Sequence, residues 1–392
     1  MSKPQTDAIR IRTTQTNEME HSSPLYLTSS FCFDDAESMR AAFADETDDN
    51  IYSRFSNPNV QEFTDKICAL EGAEAGYATA SGMSAVFGSF MALLKKGDHL
   101  LSCNSIFGST HTVIAKYLPN YGIDTSYVLA TATEAEWEAA ITPNTKMIYL
   151  ETPTNPGLDI LDLEMIGRVA KKHNIILNVD NCFATPVNQR PIDFGADLVV
   201  HSATKYLGGH GDLIAGAVCG NGDAINAVRV IRNCMGINLD PHTCWMISRS
   251  METLSLRMHR AAESGKIVAQ WLSDNPYMKV TLLHPDFIAD EAYQAVYKKQ
   301  CTGPGSTFSF VMDADRKTAF KFINALSLFK SAVSLGGTES LVSHPASTTH
   351  SGVPEDVRAS VGIEEGLVRI SVGMEHPQDL IADLNNAFMQ IK

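Results

Sequence analysis

Lys205 lies in the run Val199-Val200-His201-Ser202-Ala203-Thr204-Lys205-Tyr206, between two hydroxyl side chains and the glycine-rich turn Leu207-Gly208-Gly209-His210-Gly211-Asp212. The apolar residues ahead of it read as a buried strand, so the lysine falls where the chain leaves the core and can present chemistry. A partly desolvated lysine is a neutral amine, the nucleophile needed to bond to an aldehyde. A second apolar run, Ile175 to Val179, ends in Asp180. A carboxylate there suits either a protonated ring nitrogen or the cap of a following helix.

Ser81-Gly82-Met83-Ser84 stands directly before an apolar, small-residue segment from Ser84 to Leu94 that reads as a buried helix. Its backbone N–H groups and the helix dipole form a cradle for phosphate, and a simple serine cap would look the same in isolation. Ser202 and Thr204, beside Lys205, offer hydroxyls to the same anion. An amine, a ring-nitrogen carboxylate and a phosphate cradle together fit an aldehyde on a phosphorylated pyridine ring, pyridoxal phosphate. Arg369, within the apolar run Leu367 to Val372, calls for an anionic partner.

The elements that must position these groups follow a βα rhythm from residue 61 onward. Short apolar runs at 100–103, 126–129, 147–150, 175–179, 198–200 and 214–218 predict strands. Helical patterns at 108–118, 134–141 and 161–172 lie between several of them. This alternation predicts an α/β fold with a mostly parallel sheet covered by helices, its ligand outside the carboxyl ends of the strands. After residue 239 the pattern changes: a long helix from Pro241 to Leu272 with a break at Gly265, strands at 306–311, 332–335 and 367–372, and helices at 315–329 and 377–390 predict a smaller C-terminal α+β domain. Three segments result: an arm over 1–60, a large cofactor-binding domain over 61–250 and the α+β domain over 251–392. The arm reads equally as a wrap around another subunit or as irregular surface.

Composition narrows the partners. The chain has 392 residues, 31 basic against 45 acidic, and a formal charge of -14, which argues against nucleic acid or an anionic membrane as main partner. Its eight cysteines lack CxxC spacing, and the polar start Met1-Ser2-Lys3 does not resemble a signal peptide, so a reducing, cytoplasmic setting is expected. No apolar run is long enough to suggest a membrane span. The twelve histidines form no metal motif, and no metal is expected.

Taken together, the motifs resemble those of the pyridoxal-phosphate enzymes of cysteine and methionine metabolism, the family of cystathionine synthases and lyases, methionine lyase and homoserine-ester sulfhydrylases. The resemblance spans the chain from Pro24-Leu25-Tyr26 to Arg369-Ile370-Ser371-Val372-Gly373, through Tyr52-Ser53-Arg54, Asn57-Pro58, Ser81-Gly82-Met83, Glu151-Thr152-Pro153-Thr154-Asn155-Pro156, Val179-Asp180-Asn181 and Ser202-Ala203-Thr204-Lys205-Tyr206. It implies the aspartate-aminotransferase-like fold, fold type I, and a homotetramer built as a dimer of dimers with shared sites. It implies that Lys205 bonds to the cofactor and moves protons, that Asp180 holds the ring nitrogen, and that Gly82, Met83, Ser202 and Thr204 hold the phosphate. Tyr52 and Arg54 would reach that phosphate from the neighbouring subunit. Asn155 would lie near the ring oxygen and the substrate carboxylate, which Arg369 and Ser334 would grip, and Glu339 would act near the γ-carbon unless it is a solvated loop residue.

One departure bears on the reaction. Phe107-Gly108-Ser109-Thr110 stands where many relatives carry a tyrosine over the pyridine ring, and Ser109 replaces a cysteine found in that neighbourhood of methionine lyases. Phenylalanine keeps the stacking surface without the hydroxyl. The resemblance therefore points to replacement at the γ-carbon of an O-succinyl- or O-acetylhomoserine by sulfide or a thiol, giving homocysteine. Cystathionine γ-synthase and cystathionine or methionine γ-lyase are the alternatives.

Overall fold

In the computed structural model, which describes residues 3–391, two sheets share the chain. The larger has seven strands: β1 (Ala75–Thr79), β2 (His99–Cys103), β3 (Asp124–Val128), β4 (Thr145–Glu151), β5 (Ile176–Asp180), β6 (Leu198–His201) and β7 (Gly216–Gly220). Their order is β1-β7-β6-β5-β4-β2-β3. Strands β2 to β6 run parallel to one another, while β7 is antiparallel to both β6 and β1. The predicted mostly parallel sheet is present, and its central strands are buried on both faces, which is why they read as continuous apolar runs.

Strand β1 escaped the sequence reading. Its residues, Ala-Gly-Tyr-Ala-Thr, are small because the strand is wedged against its neighbours: a Cβ on Gly76 would come within 2.8 Å of Cys68 Sγ and 2.9 Å of the Val218 carbonyl. The helix Gly82–Leu93 follows at once, opened by a capping box in which Ser81 Oγ accepts from Ser84 N–H at 3.1 Å and Ser84 Oγ accepts from Ser81 N–H at 2.8 Å.

The second sheet, ordered β10-β11-β12-β9-β8, comprises β8 (Val280–Leu283), β9 (Thr307–Met312), β10 (Lys330–Ser331), β11 (Leu341–Ser343) and β12 (Leu367–Ser371). Helices Arg316–Ala325 and Pro377–Ile391 pack on it through Phe322 and Phe388, whose ring centroids are 4.6 Å apart. Three expectations need correction. The long helix breaks at Glu252 and Thr253, between Pro241–Met251 and Leu254–Ser273, and Gly265 lies inside the latter, where a Cβ would make only an ordinary contact with Ser306 Cα at 3.5 Å. The strand expected at 332–335 is a loop, because pairing between β10 and β11 ends at Ser331 and Val342. The helix expected over 108–118 is regular only at Gly108–Thr112, then widens over Val113–Tyr117 and tightens over Leu118–Tyr121. Among the described residues no helix is long and apolar enough to cross a membrane.

Candidate active site

The register of the parallel strands brings the predicted residues together. Glu151 at the end of β4 is paired with Asp180 at the end of β5, and Asp180 with Val200, two residues before Ser202. The carboxyl ends of β4, β5 and β6 thus present Glu151, Asp180 and the Ser202–Lys205 turn side by side. Lys205 Nζ donates to Ser334 Oγ at 3.1 Å, and burial lowers its pKa from the ordinary lysine value, so the neutral amine is favoured. The turn after it is held by Arg257, which donates to the Tyr206 carbonyl at 2.7 Å, and by Tyr206, whose hydroxyl meets Thr307 Oγ1 at 2.8 Å.

Opposite Lys205, the second sheet delivers Arg369 from the middle of β12. Its guanidinium is 3% exposed, donating to Asn155 Oδ1 at 2.9 Å and to the Ser334 carbonyl at 3.3 Å. Burial pulls its pKa down to about 10, which leaves it a cation at neutral pH. Arg369, Asn155, Ser334 and Lys205 therefore form one connected cluster across the two sheets.

Asp180 accepts from Cys182 N–H at 2.9 Å and from the Tyr149 hydroxyl at 3.4 Å. Among the described residues no ion pair neutralises it, and burial raises its pKa. A protonated ring nitrogen would supply the missing cation. The phosphate end also fits. A Cβ on Gly82 would fall 2.6 Å from Ser202 Cβ and 2.8 Å from Ser202 Cα, so the helix start and the turn before Lys205 approach each other as only glycine permits. Gly216 performs the same service behind them, since a Cβ there would lie 2.1 Å from the Ser81 carbonyl oxygen. Thr204 Oγ1 accepts from Ala215 N–H at 2.9 Å, and Met83 Sδ accepts from Thr110 Oγ1 at 3.7 Å, so Thr204 and Met83 are both anchored at this end.

Phe107 opens the helix Gly108–Thr112; its N–H donates to Glu151 Oε2 at 2.9 Å and its ring meets His350 edge-on. Glu151 and Tyr149 are the residues that reading the sequence missed as site components. Glu151 is 3% exposed, and its carboxyl is pushed well above the ordinary glutamate value by burial and by the charge of Asp180. The signal was available: Glu151 ends an apolar run just as Asp180 does.

Three predicted residues stand apart in this chain. Arg54 donates to the Asn233 carbonyl and stacks on Phe55, while Tyr52 is exposed and bridges to Ser30. Glu339 is exposed beside Ser340, whose N–H and hydroxyl instead bind Glu375 at 2.7 and 2.8 Å.

Comparison with known proteins agrees with this construction. The family model of Cys/Met metabolism PLP-dependent enzymes matches residues 5–389. The L-methionine gamma-lyase of Porphyromonas gingivalis is 41% identical, covering 93% of this chain and 91% of its own. The O-succinylhomoserine sulfhydrylase of Pseudomonas aeruginosa is 38% identical, covering 96% and 93%. A solved chain from Campylobacter jejuni, assigned as an O-acetylhomoserine (thiol)-lyase and carrying N'-pyridoxyl-lysine-5'-monophosphate, superimposes with a TM-score of 0.94 at 29% identity, covering 99% of this chain and 100% of that one. With the fold type I architecture, a site that fits pyridoxal phosphate and a family match over nearly its whole length, the chain belongs to the pyridoxal-phosphate-dependent enzymes of cysteine and methionine metabolism.

Proposed function

We propose that this enzyme replaces the acyloxy group on the γ-carbon of an O-succinyl- or O-acetylhomoserine with sulfide or a thiol, releasing the carboxylate and giving homocysteine or its thioether. The single observation that carries this reading is Phe107, a ring without a hydroxyl where the resemblance expects a tyrosine able to move protons. The relatives pull the other way: methionine gamma-lyase is among them, so γ-elimination from methionine or cystathionine is the second reading.

When bound, pyridoxal phosphate withdraws electrons from the substrate α-carbon. Arg369 grips the substrate α-carboxylate with Asn155 and Ser334 holding the guanidinium in place. Lys205, its pKa lowered by burial and its amine beside Ser334, takes the α-proton and serves the neighbouring β-carbon as well. Asp180 holds the ring nitrogen, and Gly82, Met83, Ser202 and Thr204 hold the phosphate. The carboxylate then leaves the γ-carbon, a thiolate forms the carbon–sulfur bond there, and Lys205 returns the proton. Tyr52 and Arg54 complete the phosphate site of a second copy in a homotetramer, and Glu339, which stands apart in this chain, is assigned to the γ-carbon by the family resemblance alone.

The test is a product assay on the purified protein with O-succinyl- and O-acetylhomoserine, each with sulfide or cysteine, beside methionine and cystathionine alone. Homocysteine from an ester and sulfide is expected. Release of ammonia and an oxo acid from methionine or cystathionine, with negligible replacement, would overturn the reading in favour of a γ-lyase. Phe107→Tyr supplies the missing hydroxyl and is expected to raise the share of elimination over replacement.

A further inference from the structure

Behind Asp180 and Lys205 lies a buried polar cluster that the proposed reaction does not use. Glu71, ending the helix Pro58–Glu71, and His201, ending β6, are 0% and 1% exposed. Glu71 Oε1 accepts from His201 Nε2 at 2.7 Å and from Asn181 Nδ2 at 2.7 Å. Asn181 Nδ2 also donates to the Gln189 carbonyl at 2.8 Å, and Gln189 Nε2 donates to the Thr152 carbonyl at 2.8 Å. Thr152, Asn181 and His201 are the chain neighbours of Glu151, Asp180 and Ser202. The cluster thus ties together the ends of the three strands that carry the site, from the side away from it.

Stability alone is a poor reason for this arrangement. Burying an ionisable pair costs much of what its attraction returns, and Glu71 Oε2 has no partner among the described residues. An ionised carboxylate has no hydrogen to give, so His201 Nε2 is the donor and the imidazole ring is held in one orientation. The titratable groups facing Asp180 are Tyr149 and Glu151 on β4, Cys182 on its own loop and His201 on β6. Of these only His201 can carry positive charge.

We infer that the Glu71–His201 pair, with Asn181 as its second anchor, is a positioning device for Asp180: it fixes the strand end that carries that carboxylate and holds an imidazole, a group able to carry positive charge, behind it, so that Asp180 holds the ring nitrogen of pyridoxal phosphate protonated. The inference rests on Asp180 being the partner of that nitrogen. Glu71→Gln keeps the acceptor and removes the charge. In holoenzyme reconstituted with cofactor isotopically labelled at the ring nitrogen, the nitrogen resonance moves toward its unprotonated position, and cofactor affinity falls about tenfold. Glu71→Asp, which keeps the charge, returns the resonance toward that of the unaltered enzyme. His201→Asn, which keeps a donor without charge, reproduces the Glu71→Gln shift and serves if that variant folds poorly. An unchanged resonance in both Glu71→Gln and His201→Asn, with Asp180→Asn shifting it, overturns the inference. An unchanged resonance in Asp180→Asn overturns the assignment of Asp180 itself.

Discussion

Replacing Gly82 with alanine tests the phosphate cradle with a single methyl group. That methyl would lie 2.6 Å from Ser202 Cβ and 2.8 Å from Ser202 Cα, and the second contact is with backbone, which cannot swing aside. The helix start and the turn leading to Lys205 must separate until the contact is normal. The backbone N–H groups at residues 82 and 83 and the Ser202 hydroxyl then no longer converge on one point. Hydrogen bonds to a charged group contribute about 1.5–3 kcal/mol each, so misaligning one lowers cofactor affinity by about 10- to 100-fold. Gly88 in the same helix is the control: a Cβ there meets only Ile237 Cδ1, at 2.5 Å, the far end of a flexible side chain. Gly88→Ala gains about 1 kcal/mol of helix propensity against a small rearrangement, and the cradle is untouched. Titrating each cofactor-free variant with pyridoxal phosphate, followed by fluorescence, with thermal unfolding in parallel, separates binding from stability. Gly82→Ala binding the cofactor within about threefold of the unaltered protein would refute the cradle.

Two further outcomes follow from the cluster around Arg369 and Glu151. Arg369→Lys loses the two-pronged grip; KM for the amino-acid substrate is expected to rise about 10- to 100-fold, with kcat changing less, in steady-state kinetics. Glu151 has a folded-state pKa well above its ordinary 4.5, so the cofactor-free protein loses stability as pH rises from that value through the folded pKa. Glu151→Gln imitates the protonated form: it is expected to melt higher than the unaltered apoprotein at neutral pH, and the difference closes below pH 4.5. A constant difference across that window would place the effect in packing instead.

Much of the site was legible because strand ends and tight turns leave marks in sequence. Asp180 and Lys205 stand out as charged residues that close apolar runs, and Ser81-Gly82 as a cap before an apolar helix. The pairing of Arg369 with Asn155 was not legible from spacing, since it joins β12 to the loop after β4 across two sheets. Ser334 reached the site although the strand expected for it is a loop, because what holds it is Lys205 on one side and Arg369 on the other. Strand β1 was hidden by its small residues, which serve close packing and so erase the apolar signal.

The residue that the sequence reading passed over, Glu151, also orders the electrostatics. Glu151 and Asp180 face each other on adjacent strand ends, and each raises the cost of ionising the other in a dry setting. Their partners differ in kind. Glu151 has the N–H of Phe107 and the nearby Arg369, whose charge would also be claimed by a substrate carboxylate. Asp180 has the Cys182 N–H and the Tyr149 hydroxyl, with His201 behind it. Burial raises both carboxyls, Glu151 the further, so protonating Glu151 relieves the repulsion between them. In the proposed reaction a neutral carboxyl beside Phe107 would add no negative charge where a sulfur anion approaches.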